Sequence, residues 1–175
     1  MWFKIDLNGI ILQLQFREYC PSKKEIWDEQ WCKTDFSFAS EPWLNYHQEN
    51  GEVFLSCEVE ELADRIDKLL HDRLQEKTEI ELIEPDFHFI LYPKRDLRND
   101  PKYAYIKPGH EIADIYMEWT VTFWNEGLTD NYLSVTLDRA DMEYLLNYLH
   151  LVMGKLSRKD SLIADMIDKG IIYGD

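Results

Sequence analysis

Phe54-Leu55-Ser56-Cys57 leads into Glu60-Glu61-Leu62-Ala63-Asp64-Arg65-Ile66, and Tyr132-Leu133-Ser134-Val135 leads into Asp138-Arg139-Ala140-Asp141-Met142-Glu143-Tyr144. Each stretch is a short β-type run that passes through an acidic cap region into an amphipathic helix. Leu62, Ile66, Leu69, Leu70 and Leu74 keep the three-to-four spacing of a buried stripe and predict a helix over 60–75. Met142, Leu145, Leu146, Leu149, Val152 and Met153 do the same over 138–156. Glu61 with Arg65 and Asp64 with Lys68 are acid-first i,i+4 pairs, worth about a few tenths of a kcal/mol each. The unit is therefore scaffold, present twice. In this alignment the copies differ where Glu58 stands in place of Thr136, which makes the first entry the more acidic.

The strands read outward from these units. Residues 2–7 alternate, Asn8-Gly9 is a strong hairpin signal, and Ile10, Leu12, Leu14 and Phe16 return on one face. Phe36 and Phe38 mark a strand over 34–39, residues 41–51 read as a loop, and Val53, Leu55 and Cys57 share the face of the next strand. Ile80 and Leu82, then Phe87, Phe89 and Leu91, predict two strands turned at Glu84-Pro85-Asp86. Ile115, Met117, Trp119, Val121 and Phe123 give the cleanest period-two pattern, followed by a turn at Asn125-Glu126-Gly127 and a last strand through Leu133, Val135 and Leu137. Strands in hairpin order with two helices following strands predict an α+β fold: a single twisted, mostly antiparallel sheet with both main helices on one face. Its other, partly aromatic face would be open. One domain over 1–175 is expected, with 93–111 a mobile loop and 159–175 a short helix (161–169) and tail.

The 175 residues include 34 acids and 19 bases, a formal net charge of −15. Such a field repels nucleic-acid backbones and anionic membranes and favours a cationic partner. No run approaches the ~18 apolar residues of a membrane span, and the alternating N-terminal strand is no secretion signal. Cys20, Cys32 and Cys57 form no C-x-x-C and read as reduced thiols. A cytoplasmic protein is expected.

Chemistry-bearing motifs are scarce. The seven glycines fall at turns, helix ends or the tail, leaving no phosphate cradle and no nucleophile elbow. His47, His71, His88, His110 and His150 make no zinc pattern, and His71 and His150 read as boundary residues of the two helices. Asp86 with His88, or His110 with Glu111 and Asp114, could supply a ligand pair, but alternation on a wet sheet face gives the same spacing. Carboxylate pairs such as Glu79 and Glu81 are too frequent among 34 acids to single one out. Lys94, Arg95, Arg98, Lys102 and Lys107, interleaved with Tyr103 and Tyr105, read as compensation of the acidic surface. No catalytic residue, metal or cofactor is assigned.

The order of hairpin, Phe36-Ser37-Phe38 strand, acidic cap, Leu-rich helix, Glu84-Pro85-Asp86-Phe87-His88-Phe89 and closing strand-to-helix unit resembles WapI-type immunity proteins of bacterial polymorphic-toxin systems, over about the first 155 residues. The long 93–111 segment and the tail depart from that pattern. The resemblance implies a non-enzymatic cytosolic protein that neutralises a cognate toxin, often a nuclease with a basic substrate site. The expected partner surface joins Glu58, Glu60, Glu61 and Asp64 to Trp27, Trp31 and Trp43: Trp supplies hot spots and the acids set orientation and on-rate. Two other readings stand beside it. One is a ligand carrier with an apolar pocket lined by Trp119, Phe89 and Phe123. The other is an enzyme using carboxylates with His88 or His110.

Overall fold

The computed structural model describes residues 1–21, 30–98 and 100–174. Strands β1 (Trp2–Leu7), β2 (Ile10–Glu18), β3 (Trp31–Ser40) and β4 (Leu44–Leu55) form an antiparallel meander that feeds helix α1 (Ser56–Leu70). Next come β5 (Thr78–Glu81), β6 (Phe87–Tyr92), the two-residue strands β7 (Arg95–Asp96) and β8 (Ile112–Ala113), β9 (Tyr116–Trp124) and β10 (Leu128–Leu137). In space β5, β6, β9 and β10 are a second antiparallel meander, and it feeds α2 (Arg139–Val152). Helix α3 (Ser161–Asp168) and strand β11 (Ile172–Tyr173) complete the chain.

The α+β class, the antiparallel pairing and the duplicated strand-to-helix unit are as expected. The strands divide into two main sheets and the small β7–β8 ladder, however, and not the one sheet predicted. Aromatic burial explains the division. Phe36, Phe38 and Phe54 of the first sheet meet Phe87, Phe89 and Trp119 of the second, with ring centroids 4.7 Å apart for Phe36–Phe87, 5.9 Å for Phe38–Trp119 and 6.4 Å for Phe54–Phe89. The aromatic face expected to stay open is closed by the second sheet, which removes those rings from water. Helix α1 packs against β4 and β6 and helix α2 against β1, β9 and β10, so each helix touches both sheets. Tyr148 of α2 is 1% exposed and stacks on Phe3 at 5.1 Å; its hydroxyl donates to Met1 O and accepts from Phe16 N.

The duplication extends further than the strand-to-helix step, and its register differs from the one read in sequence. The N-caps of α1 and α2 are Leu55 and Asp138, which pairs Glu58 with Asp141 and not with Thr136. In this register the buried positions Val59, Leu62, Ala63 and Ile66 fall on Met142, Leu145, Leu146 and Leu149. Glu58 Oε2 accepts Leu55 N at 2.7 Å, and Asp141 Oδ2 accepts Asp138 N at 3.2 Å, the backward half of a capping box in both copies.

Other boundaries also move. Helix α1 starts at Ser56, so Cys57, expected on an apolar strand face, is exposed on the helix, because side-chain direction changes from period 2 to period 3.6 there. Residues 44–51, expected within a loop, belong to β4. Polar side chains and a bulge at Asn50 (φ 53°) obscured the strand. The bulge serves Asp35, which is 1% exposed and accepts from Asn50 N and Arg17 Nε. The short helix expected at 161–169 is α3, and the tail after it returns as β11 to pair Trp2 and Phe3 of β1. The 93–111 segment is closed at its base by the β7–β8 ladder.

Candidate partner-binding surface

Each meander ends by entering a helix: α1 starts at the end of the first sheet away from the β3–β4 turn, and Arg139 at the start of α2 donates to Leu70 O at the end of α1, so the two helix starts lie apart. The seven residues expected to form one surface are divided by this geometry. Gln30 O accepts both the N–H and the hydroxyl of Ser56, which sets the half-buried Trp31 beside the start of α1. Trp43 lies in the turn at the far end of β3, about 30 Å away by strand rise. Trp27 lies outside the described residues.

The four acids at the helix start are largely committed to local partners. Glu58 is buried, and its second oxygen accepts Ile83 N at 2.7 Å, so one carboxylate ties the α1 cap to the loop before β6. Burial pushes its pKa up while the two amides pull it down. Glu60 accepts the Tyr19 hydroxyl at 2.9 Å. Glu61 and Asp64 face solvent and pair with Arg65 at 3.3 Å and Lys68 at 2.6 Å.

The other end holds what the sequence reading missed. Tyr46 of β4 packs on Phe123 of β9 at 4.7 Å, and its hydroxyl accepts Trp124 N at 3.2 Å, so the two hairpin ends adjoin. Around this junction Trp43 is 63% exposed and Tyr132 67%, with Trp124 and Leu128 also exposed. Glu41, Glu126 and Asp130 are exposed alongside them. Residues 34–64 contain eight acids and residues 108–138 six, and neither stretch has a lysine or arginine. These cation-free runs cover the β9–β10 hairpin and all of the β3–β4 hairpin except the start of β3, where Lys33 pairs with Glu52, and were the available sequence signal. Beside Trp43 a hollow of about 610 Å³ is lined by Lys4, Gln13, Ala39, Pro42, Leu44 and Asn45. Beneath the patch Asp86 is 4% exposed, its carboxyl pushed up to about 6 by burial and then by Glu84.

The sites of the competing readings are placed differently. Trp119 and Phe89 are 1% and 0% exposed and fill the space between the sheets against Phe87, while Phe123 packs on Tyr46. These rings are core. His71 caps α1 and His150 lies in the last turn of α2, as their boundary reading requires. Cys32 is buried, with its thiol pushed up to about 11 by burial, the reverse of an activated nucleophile. In the basic segment Arg95 pairs with Asp100 at 3.3 Å and Arg98 with Asp96. Among the described residues, no helix is long and apolar enough to cross a membrane.

The molecule is an α+β scaffold of two main sheets with exposed aromatic and acidic side chains near its hairpin turns. A model of the immunity protein WapI-like family matches residues 3–156, and the chain belongs to that family. Comparison with the curated proteins and with the solved structures gave no match.

Proposed function

We propose that this protein is a non-enzymatic immunity protein that binds a cognate toxin and neutralises it, and that the hairpin end is its main contact surface. The observation that carries the reading is the coincidence of the exposed Trp43, Trp124, Leu128 and Tyr132 with the turn-proximal parts of two hairpins, residues 34–52 and 116–137, which contain no lysine or arginine. Large aromatics supply most binding energy at interfaces when a partner desolvates them. A surface with acids and no cations near the hairpin turns fits a basic partner, such as a nuclease-type toxin presenting its substrate site. The α1 acids, at the other end of β3 from Trp43, add to the long-range field; Trp31 and Glu60, Glu61 and Asp64 form a secondary candidate contact.

The experiment is a binding measurement against the toxin domain encoded beside this gene, at rising salt. The expected result is a one-to-one complex whose association slows as salt increases while dissociation changes little. Absence of a complex at low salt, or association indifferent to salt, would overturn the reading.

A further inference from the structure

We propose that Glu79, Glu81 and His88 form a site for one divalent transition-metal ion, with zinc the best match. The site follows from strand register. Glu79 and Glu81 are two apart on β5 and share a face, and His88 of β6 lies directly opposite Glu81. One donor atom from each of the three side chains lies within 4.8 Å of the others. Zinc bonds to imidazole nitrogen and carboxylate oxygen are about 2.0–2.2 Å long, so small rotamer adjustments would bring all three donors onto one ion.

A second observation points to a ligand here. His88 Nε2 is shielded from solvent and has no hydrogen-bond partner, while the side chain as a whole is 33% exposed. The nearest acidic oxygen, Glu79 Oε2, is 4.0 Å away, too far for a hydrogen bond and close enough for a bridging cation. A shielded imidazole nitrogen without a partner calls for a physical reason, and an ion between it and the carboxylates supplies one. Lys77 does not compete for the same atom, since it holds the other oxygen, Oε1, of Glu79 at 2.5 Å. It orients that carboxylate from behind, as outer partners of metal ligands do.

The donor set selects the ion. One imidazole with two carboxylates suits zinc or a neighbouring first-row metal, whereas calcium and magnesium favour all-oxygen cages. Both glutamates are exposed, so the remaining coordination position faces water. Bound there, the ion clamps β5, the short edge strand of the second sheet, onto β6.

The test uses the untagged full chain, titrated calorimetrically with zinc chloride, with cobalt(II) as a spectroscopic probe. One-to-one binding is expected, lost in His88→Ala and weakened at least about tenfold in Glu81→Gln, with the cobalt complex lacking a thiolate charge-transfer band. His88→Gln serves as the second variant, and circular dichroism checks that each is folded. No binding by the wild-type chain, undiminished binding by both folded His88 variants, or a thiolate band implicating Cys20 or Cys57 would each overturn the proposal.

Discussion

At Asp86 the cost of burying a charge is set against the packing of the aromatic end. Its carboxyl is 4% exposed and is raised from the ordinary 3.8 to about 6, and Oδ1 has no hydrogen-bond partner. A carboxyl raised in the folded state adds stability that is complete below pH 3.8 and is lost as pH rises through 6. At pH 7 the ionised group therefore costs up to about 3 kcal/mol, since each tenfold change in proton affinity is worth ~1.4 kcal/mol. Asp86→Asn is expected to be more stable than the wild type by about 1–3 kcal/mol at pH 7, with the difference vanishing near pH 4. Urea unfolding at both pH values checks this, and a variant less stable at pH 7 would contradict it. Glu58 is the opposite case, a buried acid whose two oxygens satisfy Leu55 N and Ile83 N. Glu58→Ala leaves both amides without their acceptor and should cost roughly 1–3 kcal/mol, with Glu58→Gln milder. A Glu58→Ala protein of unchanged stability would place the carboxylate at the surface, available to a partner.

At the scale of elements, the apolar stripes of α1 and α2 were legible because burial imposes the 3.6-residue period directly on sequence. The repeat register was not. Both copies combine a Ser-containing strand end with nearby acids, and matching Glu60 to Asp138 satisfies composition equally well. The cap hydrogen bonds, Glu58 to Leu55 and Asp141 to Asp138, fix the pairing, and the buried stripes agree with it: Leu62 and Ile66 fall on Leu145 and Leu149. Strand β4 was hidden for a related reason: its first half, from Asn45 through Asn50, turns several polar side chains to solvent and contains a bulge, so neither period nor composition marked it. The tail was unreadable locally, because two residues form β11 only through pairing with β1 at the far end of the chain. Beyond the family match, α3 buries Ile163 and Met166, and Ile172 covers the β1 edge. Removing 157–175 should expose that edge and those side chains, lowering stability and promoting association through β1. Thermal unfolding and light scattering of the truncated chain test this; a monomer of unchanged stability would contradict it.

For the molecule as a whole, the net charge of −15 and the aromatic content were visible in sequence and pointed toward a cationic partner. Their spatial division was not, since Trp31 and Trp43 are separated by the length of β3 while Tyr46 and Trp124, on two hairpins distant in sequence, are joined by a hydrogen bond. Exposed aromatics contribute chiefly to how long a complex lasts, and unpaired surface charges to how fast it forms. The α1 acids, already paired to Arg65 and Lys68, should therefore matter less than the hairpin end. The most direct test is the dissociation rate of the toxin complex for two double variants, Trp43→Ala with Tyr132→Ala and Glu61→Ala with Asp64→Ala. The first should dissociate faster by tenfold or more, on the order of the loss of one or two hot-spot residues, while the second keeps the wild-type rate. A first variant that dissociates like wild type, with the second faster, would contradict the account and move the interface to the start of α1.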